Sequence, residues 1–453
     1  MRILHTSDWH LGRTFHGRVL DDAHAAFADH LIELVEAEGV DAVVISGDVY
    51  DRAIPPADSV RLLDDTLCRL TDRTRVVLTP GNHDSARRLG FGADLLREGL
   101  AVRARTAEVD RPVLIPDAAG RPGLYVYALP YLDPDAARES LSPLLAERLG
   151  ETPHAPEDSD DGAAAQASDS PIATGTRRLL ARSHEAVVSG ALRLVARDLA
   201  SRRGNDGERV PALVMAHAFV VGGQASPESE RDIRVGGVDS VPAGVFTTLG
   251  GSPLADASGG LDYVALGHLH RPQELHPPAL GDVDGAAEGS GVPASPRLVY
   301  SGSPLPFSFP EADAAKSSVL LNIDATGVTR LERMPAPTPY RATTLRGPLE
   351  QLLSPAFAAH TRDWVRIELS GPMPPHTMAR LKDRFPNLLA FSHTRDERDE
   401  RQSVTITRTA DPVAVADRFL TDMLGHAPDA AQHAIVASAY DAACTHLRLK
   451  EES

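Results

Sequence analysis

The chain has 453 residues, of which 42% are hydrophobic, and its formal net charge is −17. Because one hydrophobic core rarely serves so long a chain, the length predicts more than one domain. The sequence contains no run of about 18 or more apolar residues, which excludes a typical transmembrane helix, and we expect no membrane partner. The acidic balance argues against a uniformly basic nucleic-acid-binding surface, so any contact with DNA would need a local basic patch, bound cations or a partner protein.

Two features predict a cytoplasmic protein. The sequence has two cysteines, Cys68 and Cys444, and they lie far apart, which is typical of buried thiols in a reducing compartment. The first ten residues, MRILHTSDWH, lack the basic, apolar and small-residue order of a signal peptide, and a strand pattern begins almost at once.

The first third of the chain alternates short apolar runs with helical patterns, which is typical of a layered α/β fold. The apolar runs predict strands at Arg2–Thr6, Asp41–Ser46, Arg75–Leu78 and Leu124–Ala128. Helical spacing of apolar residues predicts helices at Ala23–Glu38 and Ser59–Leu70.

The middle of the chain interrupts this pattern and then resumes it. Residues 151–176 are rich in Ala, Ser, Asp and Pro, which predicts a disordered acidic insert. An amphipathic helix is predicted at 177–200. Residues 273–296 have the Gly and Pro content of an expanded surface loop. We therefore expect one domain over residues 1–335. Its later strands are predicted at Ala212–Met215, Tyr263–Leu266 and Leu298–Tyr300.

The C-terminal third begins where the run APTPY breaks the strand pattern. Residues 336–410 have the order strand, helix, strand, helix, strand, strand, which predicts a small α+β domain. Residues 411–453 carry two amphipathic helical segments, which either pack on the body of the protein or bind a partner. The anchoring elements are Trp364–Leu369, His376–Phe385, Val404–Thr407, Pro412–Leu424 and Ala430–Leu447.

Five polar clusters follow predicted strands, and we expect them to converge. In open α/β sheets, ligands bind just beyond the carboxyl ends of the strands. Residues i and i+2 of an extended chain point to the same side, so two of the clusters each offer a same-side pair of side chains. The clusters are Asp8-Trp9-His10, Gly47-Asp48, Gly81-Asn82-His83-Asp84, His217 and Gly267-His268-Leu269-His270.

The clusters predict a two-ion metal site. They offer carboxylates, imidazoles and an amide but no thiolate, which suits Mn, Fe or Zn better than Ca or a structural zinc. Seven ligands can serve two ions about 3.5–4 Å apart if one carboxylate bridges them, and Asp48 is central in the motif order. His217 stands alone after an apolar strand, where many histidines belong to the core. The other six predicted ligands leave one coordination position open, so we predict that His217 is the seventh ligand. The two predicted sets are Asp8, His10 and His270, and Asn82, His217 and His268.

Two side chains beside the ligands are predicted to act in catalysis. Two bridged ions polarise a phosphoryl group and activate a water for attack on phosphorus. His83 is not needed as a ligand, so we predict that it is the general acid for the leaving oxygen. Asp84 is predicted to orient the His83 imidazole. Flanking arginines are equally consistent with ordinary surface charge and with phosphate binding. The predicted phosphate-binding residues are Arg13, Arg52 and Arg87.

The motifs resemble those of two nested families. SDWHLG, GDVYDR, GNHD and GHLH are similar to the signature of the calcineurin-like metallophosphoesterases. The longer runs SDWHLGR, GDVYDRAIPP, GNHDSARRLGF, ALPY, LGHLHRPQ and YSGSPLPFSF resemble the SbcD family, the nuclease subunits of SbcC–SbcD DNA repair complexes. The resemblance spans residues 6–309. It implies an α/β/β/α sandwich with a small capping domain and C-terminal helices, and it implies the same seven ligands and His83.

The resemblance also implies a function and partners. It implies two Mn²⁺ ions, with Mg²⁺, Fe²⁺ or Zn²⁺ as alternatives, and a 3′–5′ double-strand exonuclease with single-strand and hairpin endonuclease activity. The implied setting is DNA repair, recombination and replication at the nucleoid, with an SbcC-type ATPase in a heterotetramer. Residues 336–410 would seat DNA, residues 411–453 would bind the ATPase, and helices near 57–70 and 86–98 would form a homodimer. The insert 151–176 and the loop 273–296 are longer than the family pattern needs.

Two other functions remain open from the residues. A phosphatase or cyclic-nucleotide phosphodiesterase of the same superfamily would use the same metal site but would not need the C-terminal third. A non-catalytic binding subunit would need neither the complete ligand set nor His83.

Overall fold

A computed structural model describes residues 1–96, 99–151, 179–205, 209–226, 230, 240–276, 295–394, 412–424 and 426–451. The elements up to the first long gap are β1 Arg2–Thr6, β2 Thr14–Phe15, β3 Arg18–Val19, α1 Asp21–Glu38, β4 Ala42–Ser46, α2 Ala57–Thr71, β5 Arg75–Thr79, α3 Ala86–Leu89, β6 Leu100–Val102, β7 Val113–Pro116, β8 Pro122–Ala128 and α4 Pro134–Leu149. The middle elements are α5 His184–Asn205, β9 Ala212–His217, α6 Gly244–Thr247, α7 Ala255–Ser258, β10 Tyr263–Gly267, β11 Gln273–Leu275, β12 Arg297–Tyr300, β13 Ser317–Asp324 and β14 Gly327–Pro335. The last elements are β15 Ala342–Gly347, α8 Leu349–Leu352, β16 Trp364–Ser370, α9 Thr377–Arg384, β17 Leu388–Thr394, α10 Pro412–Leu424 and α11 Ala430–Glu451.

Two six-stranded sheets form the centre of the fold. Their strand orders are β14-β13-β1-β4-β5-β6 and β11-β12-β10-β9-β8-β7. The inner strands of each sheet are parallel, and β13, β7 and β11 pair antiparallel at the sides. Parallel inner strands place their carboxyl ends at one edge of each sheet, which is where the predicted ligands lie.

The layers follow from which side chains are buried between them. One apolar cluster lies between the facing sheets and includes Ile3, Val44 and Met215. A second packs α1 on the outer face of the first sheet through Phe27 and other residues, and a third packs α4 and α5 on the second sheet. Such strands are buried on both faces, so their sequences are continuous apolar runs, as in the run AVVIS of β4. The predicted α/β/β/α sandwich is confirmed.

The chain divides into two compact units. The first comprises Met1–Leu345, Leu352–Ile367 and Met378–Phe391, and the second comprises Arg346–Gln351, Glu368–Thr377 and Ser392–Ser453. In the first unit, an aromatic cluster of Phe15, Phe309, Tyr340 and Trp364 joins the segment after residue 335 to the loop that follows β1. The predicted boundaries at residues 335 and 410 remain predictions.

Some sequence predictions about elements were wrong. The helix predicted from residue 177 begins at His184, because the Ser183 hydroxyl accepts a hydrogen bond from the Ala186 N–H at 3.2 Å and caps the first turn. Where the resemblance implied a helix near 86–98, the described residues 86–96 form only the short helix α3 and a 3₁₀ turn at Ala93–Leu95. Gly92, with φ +74°, lies between the two, and a residue in this left-handed conformation does not continue a helix.

Three further predictions need correction or lie outside the described residues. Cys68 was expected to be buried, but it is exposed on α2. The loop predicted at 273–296 begins with the strand β11, and its remainder is mostly undescribed. The insert 151–176, apart from residue 151, and the strand Val404–Thr407 lie outside the described residues. Among the helices that the structure describes, none combines the length and apolar character needed to cross a membrane.

Candidate metal centre

The five polar clusters lie at the carboxyl ends of β1, β4 and β5 in the first sheet and of β9 and β10 in the second. The Asp8 N–H donates to the Gly47 carbonyl oxygen at 3.0 Å. Two bonds cross between the sheets: the His268 N–H donates to Asp8 Oδ1 at 2.9 Å, and the His217 Nδ1–H donates to the Ser46 carbonyl oxygen at 3.0 Å. These bonds bring predicted ligands from both sheets to one place.

Four predicted ligands have left-handed backbone conformations. The φ angles are 54° at Asp8, 48° at His10, 47° at Asp48 and 105° at His268. Among the described residues, they make up more than half of the non-glycine residues with positive φ. A non-glycine residue in such a conformation costs about 1–3 kcal/mol and persists where the surroundings impose it, most often at a functional site. The strain therefore supports a functional centre here without reference to any motif.

The first predicted ligand set forms a compact group. Ligand atoms of Asp8, His10 and His270 lie within 4.8 Å of one another. Nε2 of His10 is 3.1 Å from Nε2 of His270, and both imidazoles are buried. Two ring nitrogens at this distance either share a proton or direct their lone pairs at a common cation. With the Asp8 carboxylate beside them, the donor set fits a first-row divalent ion.

The second predicted set surrounds the amide oxygen of Asn82. Nε2 of His217 is 2.9 Å from Asn82 Oδ1, and Nδ1 of His268 is 3.3 Å from the same oxygen. His217 directs Nε2 at this oxygen because its Nδ1–H donates to the Ser46 carbonyl. Electron-rich atoms crowded in this way are satisfied by a proton or by a cation, so the second set also fits a divalent ion.

Asp48 lies between the two sets. Its Oδ2 is 3.6 Å from His10 Nε2 and 3.4 Å from His217 Nε2. Its Oδ1 accepts the backbone N–H of His83 at 2.8 Å, which fixes the plane of the carboxylate. The geometry is that of a carboxylate able to touch ions on both sides, as the sequence predicts for Asp48.

The electrostatics of the site pair acid with base. Burial acts to raise the pKa of the Asp48 carboxyl, but His217 and His10 outweigh burial and hold it well below its usual range. Burial acts to lower the pKa of His217, but the Asp48 carboxylate raises it to about 9. Burial raises the pKa of Asp8 to about 6 and lowers those of His10 and His268. The site therefore contains both anionic ligands and uncharged imidazoles near neutral pH.

The raised pKa of His217 predicts how the metal-free protein responds to pH. The folded state holds this proton up to about pH 9, whereas an unfolded histidine loses it near 6.5, so folded molecules bind more protons between these values. The contribution of His217 to stability is therefore fully present below pH 6.5 and is lost as pH rises through 9. We expect the unfolding midpoint in EDTA to fall over this range in the wild type, and to fall less in His217→Gln, as followed by calorimetry. Equal slopes in the two proteins would contradict the assignment.

Gly81 is needed because Asp48 approaches its backbone. A Cβ at Gly81 would lie 2.2 Å from Asp48 Oδ1 and 2.3 Å from the Asp48 nitrogen. We expect Gly81→Ala to displace the carboxylate, to lower stability by about 1–3 kcal/mol, as overpacking does, and to weaken the binding of both ions. The control is Gly244→Ala, since a Cβ there meets nothing within 4 Å. Unchanged metal affinity in Gly81→Ala, measured by titration calorimetry, would contradict the placement of Asp48.

The predicted role of Asp84 is corrected by its contacts. His83 Nδ1 lies 2.7 Å from the carbonyl oxygen of Asp51, so that backbone group orients the His83 ring. The Asp84 carboxylate instead ties together the loops after β4 and β5, because it faces three main-chain donors. These donors are the N–H groups of Val49 at 3.0 Å, Tyr50 at 2.9 Å and Gly81 at 2.9 Å. Burial, together with the nearby Asp48 charge, raises the pKa of the Asp84 carboxyl to about 7.

The three predicted phosphate-binding arginines differ in their surroundings. The Arg13 guanidinium is 3.3 Å from Asp51 Oδ1 and lies over the Phe307 ring at 4.8 Å, so it helps to fix the wall of the site. Arg52 is exposed and is 3.8 Å from Asp51. Arg87 is exposed on α3. The phosphate-binding role of all three remains a prediction.

Sequence reasoning missed a group of buried charged residues behind His270. Glu311 and Lys316 are almost fully buried and form an ion pair at 2.6 Å. Glu311 Oε1 is 3.3 Å from His270 Nδ1, and Glu230 Oε1 accepts the His270 backbone N–H at 2.7 Å. These residues follow no strand end and match no ligand spacing. The sign of this group in the sequence was the presence of Glu311 and Lys316 in the run PEADAAK, which follows an apolar stretch.

Comparisons with known proteins give the following matches. A family model described as calcineurin-like phosphoesterase matches residues 1–131. A Rhodobacter capsulatus protein, named as the SbcD component of nuclease SbcCD, is 33% identical over 367 residues, covering 78% of this chain and 75% of its own length. A Bacillus subtilis protein of the same name is 32% identical over 324 residues, covering 71% of this chain and 66% of its own. Among solved structures, a dimetal phosphatase from Danio rerio is 13% identical with a TM-score of 0.39, covering 74% of this chain and 98% of its own.

Proposed function

This chain belongs to the SbcD family of SbcCD nuclease components, within the calcineurin-like phosphoesterases, and we propose that it cleaves DNA at ends and hairpins. Membership makes it a metal-dependent nuclease subunit that hydrolyses phosphodiester bonds. The observation that carries the proposal is the position of Asp48, between two sets of buried metal-ligand atoms and beside His83. We propose 3′–5′ exonuclease and endonuclease activity in repair and recombination, in the cytoplasm at the nucleoid.

The ligand chemistry supports two divalent ions, for which we propose Mn²⁺. Two such ions polarise the phosphoryl oxygens and lower the pKa of a water near the phosphorus. Imidazole nitrogens mixed with carboxylate and amide oxygens suit Mn²⁺ or Fe²⁺ and also accept Zn²⁺ or Mg²⁺. One ion would be held by Asp8, His10 and His270, the other by Asn82, His217 and His268, and both by Asp48.

His83 has the geometry of a proton donor to the leaving oxygen. Its Nδ1 faces the Asp51 carbonyl oxygen, which only accepts, so Nδ1 carries a hydrogen. Nε2 therefore carries a proton that it can donate only when the ring is in the imidazolium form. Nε2 is 4.0 Å from Asp48 Oδ2, so this nitrogen faces the candidate metal centre. We propose that the imidazolium form of His83 gives its Nε2 proton to the leaving oxygen, as general acid catalysis requires.

Binding to DNA is proposed for the segment 336–410. The chain as a whole is acidic, so contact with phosphates needs a local concentration of positive charge. The described part of this segment, residues 336–394, carries seven basic side chains against four acidic ones, and we propose that it seats the duplex. Its basic residues are Arg341, Arg346, Arg362, Arg366, Arg380, Lys382 and Arg384.

Binding to an SbcC-type ATPase is proposed for the two terminal helices. Within the second unit, α10 and α11 are linked by a hydrogen bond between Asp417 and His433. They expose large apolar side chains, among them Phe419, at 63%, and Ile435, at 69%. Large apolar side chains exposed on helices are a feature of protein-binding surfaces, which supports docking of the ATPase there.

A homodimer within a heterotetramer is proposed through α2 and the segment that follows α3. Phe91 is 91% exposed and Leu95 is 75% exposed, and Ile54, just before α2, is also exposed. The second predicted dimer helix is shorter than expected, so the proposed contact rests on α2 and on the turns around Phe91 rather than on two full helices.

The test of the proposed function compares substrates in the full chain. Blunt-ended and hairpin DNA, labelled at either end, are incubated with Mn²⁺, with Mn²⁺ and the partner ATPase, and with EDTA. We expect cleavage that needs Mn²⁺, proceeds from 3′ ends and opens hairpins. A small diester, bis(4-nitrophenyl) phosphate, is measured beside them. Intact DNA together with rapid hydrolysis of the small diester would instead indicate a phosphatase or cyclic-nucleotide phosphodiesterase of the same superfamily.

A further inference from the structure

The buried charges behind His270 have no role in the chemistry described above. Lys316 donates three hydrogen bonds: to Glu311 Oε2 at 2.6 Å, to Ser303 Oγ at 2.8 Å and to the His270 carbonyl oxygen at 2.9 Å. An ammonium group has three donors, so its hydrogen-bonding capacity is fully used. Two charges buried together are a poor source of stability compared with apolar residues of the same size, which points to a positional role.

Glu311 contacts the nitrogen of His270 that faces away from the candidate ligands. Its Oε1 is 3.3 Å from His270 Nδ1 and accepts from the Ser308 hydroxyl at 3.1 Å. Because a carboxylate only accepts, the hydrogen of a neutral His270 ring must be on Nδ1. The lone pair is then on Nε2, the nitrogen that lies 3.1 Å from His10 Nε2.

The main chain of His270 is held from two sides. Its N–H donates to Glu230 Oε1 at 2.7 Å, and its carbonyl oxygen accepts from Lys316. The Phe307 ring packs against the imidazole in a T-shaped arrangement, with the ring centroids 5.4 Å apart. The ring therefore has a fixed plane as well as a fixed hydrogen position.

We propose that Glu311 and Lys316 are positioning residues for the ion that Asp8, His10 and His270 would bind. Glu311 sets the tautomer and plane of the His270 ring, and Lys316 holds both Glu311 and the His270 backbone. The inference rests on the proposed metal site and assigns that site its supporting groups. Outer partners of this kind are commonly worth about 10–100-fold in metal affinity.

Glu311→Gln is the informative variant because it keeps the shape and reverses the hydrogen bond. Lys316 can only donate hydrogen bonds. The amide oxygen of the substituted side chain at position 311 therefore turns toward Lys316, and its NH₂ group faces His270 Nδ1. Nδ1 must then accept, which moves the ring hydrogen to Nε2 and blocks that lone pair. In the metal-free protein with ¹⁵N-labelled histidine, we expect the NMR signals of His270 to change from the Nδ1–H to the Nε2–H form.

Metal binding is measured in the same proteins by Mn²⁺ titration calorimetry. We expect the wild type to bind two ions, and Glu311→Gln to bind one of them about 10–100-fold more weakly with the other unchanged. The matched control is Glu274→Gln, which alters the Glu274–Arg297 pair at 2.7 Å. Arg297 lies at the amino end of β12, opposite the site, so both affinities should remain those of the wild type.

A second variant separates positioning from charge balance. Glu311→Leu combined with Lys316→Met removes both charges, so no buried charge is left alone. We expect it to stay folded in EDTA and still to lose affinity at one site. Wild-type affinity at both sites in this double variant, or an unchanged tautomer and affinity in Glu311→Gln, would overturn the inference. A wild type that fails to bind two ions would overturn the proposed metal site instead.

Discussion

We expect Asp48→Ala to lose both divalent ions and to lower kcat/KM for DNA by about 10³-fold or more, since metal ions contribute several kcal/mol to such reactions. The physical reason is the position of Asp48 Oδ2, which is 3.6 Å from a nitrogen of one ligand set and 3.4 Å from a nitrogen of the other. Without this carboxylate, the remaining ligands include one anionic side chain, Asp8, for two doubly charged ions. Metal content after gel filtration measures the loss.

The control for Asp48→Ala is Asp58→Ala, which removes an exposed carboxylate from α2 and should leave metal content and activity unchanged. The metal-free Asp48→Ala protein should be less stable than the wild type, because the variant leaves His217 without its buried carboxylate and the His83 N–H without its acceptor, so its folding in EDTA is checked by calorimetry. A variant that keeps one ion at full occupancy would show that Asp48 serves a single ion.

His83→Ala has the second large expected effect. We expect it to bind both ions with wild-type affinity while kcat for DNA falls by about 10²–10⁴-fold, the range for loss of a general acid. The reason is that His83 Nε2 faces Asp48 at 4.0 Å while Nδ1 is engaged by the Asp51 carbonyl, so the ring is oriented for proton transfer. Loss of an ion in this variant would make His83 a ligand.

The leaving group provides an internal control for His83. A 4-nitrophenolate leaves without needing a proton, whereas a deoxyribose alkoxide does need one. The loss in His83→Ala should therefore be much smaller with bis(4-nitrophenyl) phosphate than with DNA. Equal losses on both substrates would exclude general acid catalysis by His83.

The sequence predicts the strands and the ligand-bearing loops well, because both follow local rules. β1 at Arg2–Thr6 matches its prediction residue for residue, and the predictions for β4 and β10 differ from the structure by one residue. Parallel strands bury both faces, so their apolar runs stand out in the sequence. Polar residues just after such runs could then be assigned to one edge of the fold.

The features that the sequence did not reveal depend on contacts between distant residues. Glu311 lies 41 positions from His270 and Lys316 lies 46 positions from it. Asp84 was paired with its neighbour His83, but its carboxylate bonds across to the loop after β4. No spacing rule within one segment can reveal such contacts.

Backbone conformation was equally hidden. The motifs gave no sign that Asp8, His10, Asp48 and His268 have positive φ, because these residue types adopt ordinary conformations in most sequences. The helix near 86–98 was implied by the family resemblance and not by residue spacing, and Gly92, in the left-handed region, interrupts it.

The most direct test of the two-ion site is an anomalous-scattering map from crystals of the full chain soaked in Mn²⁺. The structure predicts two peaks about 3.5–4 Å apart, with the Asp48 carboxylate in contact with both. One peak should lie beside Asp8, His10 and His270, and the other beside Asn82, His217 and His268. A single peak at this place, or two peaks with Asp48 touching only one, would contradict the account.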